Sequence, residues 1–247
     1  MTLVGSGLVF LTLDLIERTV IVVTIRAWPR SRERVLSGWV KCVYSSILWV
    51  PRHVGGAKME IRVGISAEPG VLVLMNHQSL LDIPLVFACV RDGYPMVVAR
   101  ERYRTGHPLV SHMIRLYGHP TVRPGEHAAV QLEALRRTAA TADRPVVIYP
   151  EGSRTRDGEI RPFKTAGLKA ILSARRWSVY VVVGDGLWTM AKLGGFARRV
   201  SSARIRVESA GPFAFDPEKD DADGFAASME KRMAKKLVEM RAAAMEK

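Results

Sequence analysis

His77 is the residue of this chain best placed to move a proton. It lies in Asn76-His77-Gln78-Ser79-Leu80-Leu81-Asp82, between the apolar run Val71-Leu72-Val73-Leu74-Met75 and the stretch Ile83-Pro84-Leu85-Val86-Phe87-Ala88. The first run has strand length and the second reads as a buried helix. Proline is tolerated only in a helix's first turn, so Pro84 predicts a regular helix beginning near Leu81 or Asp82. His77 then stands at the carboxyl end of a strand and Asp82 at the start of a helix. Open α/β sheets bind ligands at that edge. A neutral imidazole there can accept a proton, and a carboxylate on its other ring nitrogen fixes the tautomer and stabilises the imidazolium. Capping of the helix by Ser79 or Asp82, with Asn76 turning the chain, explains those residues equally well. It leaves His77 without a role.

A second group gathers past another apolar strand, Val146-Val147-Ile148-Tyr149, in Tyr149-Pro150-Glu151-Gly152-Ser153-Arg154. Gly152 permits a tight turn, and Arg154 projects a guanidinium at the same sheet edge as His77. Guanidinium forks match phosphate oxygens bidentately. Arg100, Arg123 and Lys164 also fall just beyond predicted strand ends or at a helix start. Each alone reads as a solvated surface charge; several beside a histidine make a candidate phosphate site. Glu151 is either a partner that holds the arginines or a plain loop carboxylate.

The elements that must position these residues alternate. Strands are predicted at Lys58–Val63, Val71–Met75, Met96–Ala99, Thr121–Arg123, Val146–Tyr149, Val179–Val183 and Arg204–Val207. Helices are predicted at His107–Leu116, Glu126–Ala142 and Phe163–Arg176, with a turn at Pro124-Gly125 and a charged amphipathic helix from about Phe225. That alternation is an α/β core.

Residues 1–50 differ from the rest. Leu3 to Ala27 is mostly apolar but is interrupted by Asp14, Glu17 and Arg18, which fall on one helical face; a basic turn from Arg30 to Arg34 leads to a second apolar helix, about Val35 to Val50. No clean span of ~20 apolar residues and no cleavage signature is present. Two apolar helices joined by a basic turn suit a hairpin lying in one leaflet, with Leu8, Leu11, Leu15, Val22, Trp39 and Ile47 in the acyl region and the three charges facing water or the remaining domain. The alternative is a hairpin that covers the main domain's own core. The expected division is therefore a membrane-anchoring hairpin, 1–50, and a catalytic domain, 51–247. A net charge of +13 favours an anionic partner, whether nucleic acid, phospholipid headgroups or a phosphorylated substrate. No nucleic-acid-binding motif is present, and such a role leaves the apolar hairpin idle. Cys42 and Cys89 have no metal-ligand spacing.

Taken together, Asn76-His77-Gln78-Ser79-Leu80-Leu81-Asp82 resembles the Asn-His-x-Ser-x-x-Asp block of the glycerolipid acyltransferases. Tyr149-Pro150-Glu151-Gly152-Ser153-Arg154 is similar to that family's Phe-Pro-Glu-Gly-Thr-Arg block, and Phe163-Lys164 with Gly167 to the Phe-Lys-x-Gly that follows. The resemblance covers roughly Met59 to Val207. Two stretches depart from it: Gly118-His119-Pro120-Thr121-Val122-Arg123 is one residue short of the family's glycine-to-arginine block, and Ser178 to Asp185 lacks the prolines of the fourth.

The resemblance implies a mixed sheet flanked by helices and an O-acyl transfer to the sn-2 hydroxyl of lysophosphatidic acid, giving phosphatidic acid. His77 would be general base and Asp82 its orienting carboxylate. Arg154, Arg123, Arg100 and Lys164 would bind the substrate phosphate, while Asn76, Ser79, Glu151, Gly152 and Ser153 support the site. The acyl donor would be acyl-coenzyme A or acyl carrier protein, with no other cofactor and no metal. The setting would be the cytoplasmic face of an anionic phospholipid membrane. The altered fourth block leaves room for another lysolipid, an aminoacyl lipid or a glycolipid as acceptor. No Gly-x-Ser-x-Gly elbow is present, so an acyl-enzyme serine hydrolase is not expected.

Overall fold

Val71–Met75 is buried at every residue, as a strand covered on both faces must be. In the computed structural model, which describes residues 2–123, 128–190 and 198–245, it forms β3 near the middle of a six-stranded sheet. The strand order is β1 (Lys58–Arg62), β10 (Arg204–Phe215), β9 (Trp177–Asp185), β3, β8 (Val146–Ile148) and β5 (Met96–Val97). β3 is parallel to both neighbours, with Leu74 opposite Ile148 on one side and Val181 on the other. β5 is parallel to β8 and β1 to β10, while β10 runs antiparallel to β9. The sheet is mixed and flanked by helices, an α/β architecture. Two small ribbons pair β2 (Ile65–Ser66) with β4 (Val90–Arg91), and β6 (Ala99–Arg100) with β7 (Thr121–Val122). The expected turn at Pro124-Gly125 and the helix start at Glu126 lie outside the described residues.

Alternation along the strands divides the core in two. Leu72 and Leu74 join Val179, Val181 and Val183 under α6 (Ala128–Ala140), α7 (Thr165–Leu172) and α8 (Ala222–Met245), where Leu168, Ile171, Met229 and Met233 close the layer. Val73 and Met75 face the other way, toward Leu85 and Val86 of α4 (Asp82–Cys89). The sequence marks only the first four residues of β10. Its second half contains Gly211 and Pro212, which read as a turn; a register shift between Ala210 and Phe213 accommodates them within the strand. Gly211 has φ +118°, and a Cβ there would sit 2.7 Å from the Val179 carbonyl oxygen, so glycine is required.

The N-terminal segment runs as α1 (Thr2–Ile16), a wider π turn over Glu17–Ile21 and α2 (Val22–Ala27), then after Pro29–Ser31 as α3 (Arg32–Trp49). Its two arms have different surroundings. Leu36, Trp39, Val40 and Val43 of α3 share the core with Val73, Leu85 and Val86. Leu8, Leu11 and Leu15 of α1 remain 61%, 58% and 62% exposed. Trp39 was expected in the leaflet; it is inside instead, its indole N–H donating to Glu17 Oε2 at 2.7 Å. An amphipathic aromatic has one signature for both settings, and only the partner decides. Glu17, fully buried, also accepts from His112 Nδ1 at 2.6 Å, and its burial pushes the carboxyl above its ordinary pKa. Asp14 accepts the Leu109 N–H, and Arg32 and Tyr117 tie α3 to α5 (Val110–Leu116). No helix among the described residues is long and apolar enough to cross a membrane.

Glu17→Ala leaves the Trp39 and His112 donors unmatched inside the fold. We expect it to lower the unfolding free energy by about 2–3 kcal/mol, with a smaller loss for Glu17→Gln, as measured by urea denaturation in detergent micelles.

Candidate active site

Beyond Met75 the chain leaves the sheet under close control. Asn76 donates to the Gly184 carbonyl at 2.9 Å and accepts from its N–H at 2.8 Å, clamping the end of β3 to β9. The N–H of His77 donates to Glu151 Oε1 at 2.7 Å, and its carbonyl accepts from Thr155 N–H at 2.8 Å. The loops after β3 and β8 are thereby joined through the His77 main chain. Both strands are parallel, so both loops emerge at one edge.

Asp82, at the start of α4, is wholly buried. Its Oδ2 accepts from His77 Nδ1 at 2.8 Å, from Gln78 N–H at 2.5 Å and from Ser79 N–H at 2.7 Å. Capping of the turn and orientation of the imidazole, alternatives in the sequence, are one arrangement here. Ser79 completes the turn by accepting the Asp82 N–H on its carbonyl and the Leu81 N–H on its Oγ. With Nδ1 committed to a carboxylate, Nε2 is the ring nitrogen left to receive a proton. The His77 side chain retains 17% exposure, enough for contact with a substrate.

In the second loop Gly152 has φ +66°, and a Cβ would meet Lys164 Cδ at 2.9 Å. Glycine is what lets Lys164 lie against the turn. Arg100 Nη2 donates to the Gly152 carbonyl from the end of β6, and Ser153 Oγ accepts from Arg161 Nη1 at 2.5 Å. Arg154 is half-buried on the same loop. Arg123 is exposed one residue past Val122, the partner of Arg100 in the small ribbon, with its N–H donating to Gln131 Oε1. Arg100, Lys164, Arg154 and the unpredicted Arg161 therefore surround the Gly152-Ser153 turn, with Arg123 beside Arg100 at the ribbon's end.

Glu151 bonds backbone on two sides. Its two oxygens take the N–H groups of His77 and of Arg161, the latter at 2.9 Å, and burial pushes its carboxyl upward. The sequence also missed Gln78 and Tyr149. Gln78 Oε1 accepts from Leu187 and Trp188 N–H at 3.0 and 3.2 Å, fixing the loop after β9; nothing in its neighbours signals this. The Tyr149 ring lies tilted against His77, and its place at a strand end was the available clue.

A carboxylate–imidazole dyad thus stands at the carboxyl edge of a mixed sheet, beside clustered guanidinium and ammonium groups. The acyltransferase family's sequence model matches residues 57–184, just over half of the chain and both loops; the chain belongs to that family. Among relatives, a coconut (Cocos nucifera) protein named 1-acyl-sn-glycerol-3-phosphate acyltransferase is 24% identical over 204 residues, 81% of this chain and 61% of the relative. One of the same name from Limnanthes douglasii is 25% identical over 146 residues, 58% and 50% of the two chains. This chain thus spans less than two thirds of either relative. The crystal structure of the Thermotoga maritima 1-acyl-sn-glycerophosphate acyltransferase PlsC has the same fold, with a TM-score of 0.69 over 98% of each chain at 18% identity.

An amide at position 151 can accept only one of the two N–H groups and sets its own N–H₂ against the other. Glu151→Gln is expected to cost about 2 kcal/mol of stability in urea unfolding.

Proposed function

We propose that this chain transfers a fatty acyl group from an acyl thioester to the free sn-2 hydroxyl of 1-acyl-glycerol-3-phosphate, giving phosphatidic acid. The observation that carries the reading is the His77–Asp82 pair, closed at 2.8 Å on Nδ1 with Nε2 left for a substrate proton. His77 takes the proton of the acceptor hydroxyl as that oxygen attacks the thioester carbonyl. The tetrahedral intermediate collapses with loss of the thiolate, which recovers the proton from the imidazolium. Products are an ester and a free thiol, so acyl-coenzyme A and acyl carrier protein both fit as donors, and the scheme uses no metal or further cofactor. Asp82 holds the tautomer and balances the imidazolium charge, as the carboxylate of a catalytic triad does. Arg154, Arg100, Lys164, Arg161 and Arg123 supply the cationic field for the acceptor's phosphate.

The membrane part of the reading rests on α1. It exposes three leucines, and farther along the same arm Trp28, 65% exposed, adjoins a basic stretch carrying Arg30, Arg32 and Arg34. That pairing suits one leaflet of an anionic membrane, entered from the cytoplasmic face, with attraction of about 1 kcal/mol per basic residue. Lipid acceptor then reaches the site by sliding from the leaflet.

With labelled acyl-coenzyme A and a panel of lysolipid acceptors, lysophosphatidic acid should be the preferred substrate. His77→Ala should lower kcat/KM by roughly a thousandfold and Asp82→Asn by at least about a hundredfold. Arg154→Ala should raise KM for the phosphorylated acceptor at least about tenfold while sparing the donor. Near-normal turnover in a folded His77→Ala protein would end this reading. For the membrane, deletion of residues 1–50 would also strip α3 from the core, so point changes are the cleaner test. Replacing Leu11 and Leu15 together by Glu should weaken sedimentation with anionic vesicles at least about a hundredfold, and unchanged binding would place the anchor elsewhere.

A further inference from the structure

Tyr149 closes the dyad on the side that Asp82 does not reach. Its ring centroid lies 4.6 Å from that of His77 at an interplanar angle of 34°, so the imidazole is held at one edge by a carboxylate and on one face by a phenol. Two oxygens around this pair are buried with no hydrogen-bond partner among the described residues, the Tyr149 hydroxyl and Asp82 Oδ1. The other oxygen of Asp82 is saturated with three donors. A buried carboxylate oxygen wants a donor, and a buried phenol wants an acceptor. Burial, and then the charges of Asp82 and Cys89, push the ionisation of Tyr149 far above its usual range. Asp82 and Cys89 stand two turns apart on one face of α4, and both act electrostatically on this phenol. A phenol kept protonated in this way is a donor at every working pH.

We propose that Tyr149 is a positioning residue of the dyad, its ring fixing the plane of the imidazole and its hydroxyl donating to Asp82 Oδ1 through one water. The family block that Tyr149-Pro150-Glu151-Gly152-Ser153-Arg154 resembles begins with phenylalanine, so this chain keeps the ring and adds the hydroxyl. The chemical consequence has a definite sign. A donor on Oδ1 draws charge from the carboxylate, and a less basic carboxylate stabilises the imidazolium less. The dyad therefore takes up a proton at lower pH, and His77 stays neutral and able to act as a base further into the acid range. Among the described residues, three other groups face it: Glu151, which bonds the His77 N–H and whose own carboxyl is pushed upward by burial, the cations around Gly152-Ser153, and the Cys89 thiol, which is pushed up to about 12 by burial and carries no charge near neutrality.

The kinetic part of this proposal rests on the acyl-transfer reading, while the coupling of Tyr149 to His77 does not. The test is Tyr149→Phe in the full chain, in detergent micelles, with the His77 ring titrated by nuclear magnetic resonance. The titration midpoint should rise by about one pH unit, the scale set by one hydrogen bond to a charged group. The acid limb of kcat/KM should move with it. Tyr149→Leu, which removes the ring as well, should lower kcat on the alkaline plateau by at least about tenfold. In an Asp82→Asn background, adding Tyr149→Phe should no longer shift the midpoint, since the neutral amide lacks the charge that the hydroxyl tempers. An unmoved midpoint in folded Tyr149→Phe overturns the proposal, even if activity falls. So does a shift that persists in the Asp82→Asn background. A wild-type chain that transfers no acyl group would sink the acyl-transfer reading alone, because the titration still decides the role of Tyr149.

Discussion

One buried oxygen, Asp82 Oδ2, accepts three hydrogen bonds, and the arrangement of the site depends on it. A carboxylate taken out of water is costly unless donors surround it, and here two of the three donors are backbone N–H groups of the turn that carries His77. The same contacts that make burial of Asp82 tolerable thus fix where the imidazole begins and which of its nitrogens is engaged. Glu151 repeats the device from the other strand, with its two oxygens on the backbone of His77 and of Arg161. Two acids, each buried among backbone donors, lock two loops that emerge from adjacent parallel strands. Pre-organisation of this kind lets a weak base act without first being ordered by its substrate.

The cations are arranged by different physics. Arg100 arrives from a two-residue ribbon, Lys164 from the residue before α7 and Arg161 from the loop between, and all meet a turn whose glycine leaves them room. They crowd a small volume that repels itself when empty, and an anion relieves that repulsion. The chain belongs to the acyltransferase family, and this cationic mouth beside His77 is where the proposed acceptor phosphate would sit.

The hairpin joins this site to its proposed surroundings. α3 is part of the core, while α1 shows leucines outward, and buried Glu17 is held jointly by Trp39 of α3 and His112 of α5. Attached through a desolvated carboxylate, this arm behaves as part of the domain and not as a tether, because parting the arms would leave a buried charge unmatched.

What the sequence determined by itself was local. Five consecutive apolar residues specify β3, Pro84 places the start of α4, and the spacing between them sets His77 and Asp82 at a strand end and a helix start. Glycine at 152 announces a turn, and alternating periodicities announce an α/β core. These signals live in neighbouring residues and in steric rules that hold in any fold. The tertiary structure alone decided the contacts made across long stretches of chain. It brought Arg161 to Ser153, set Gln78 under the Leu187 and Trp188 amides, laid Tyr149 on His77 and turned Trp39 inward. It also carried β10 through Gly211 and Pro212, where a bulge overrides a turn signal. An apolar or amphipathic residue has the same sequence signature whether lipid, core or a catalytic ring receives it, and the difference is made only by which partner the fold delivers.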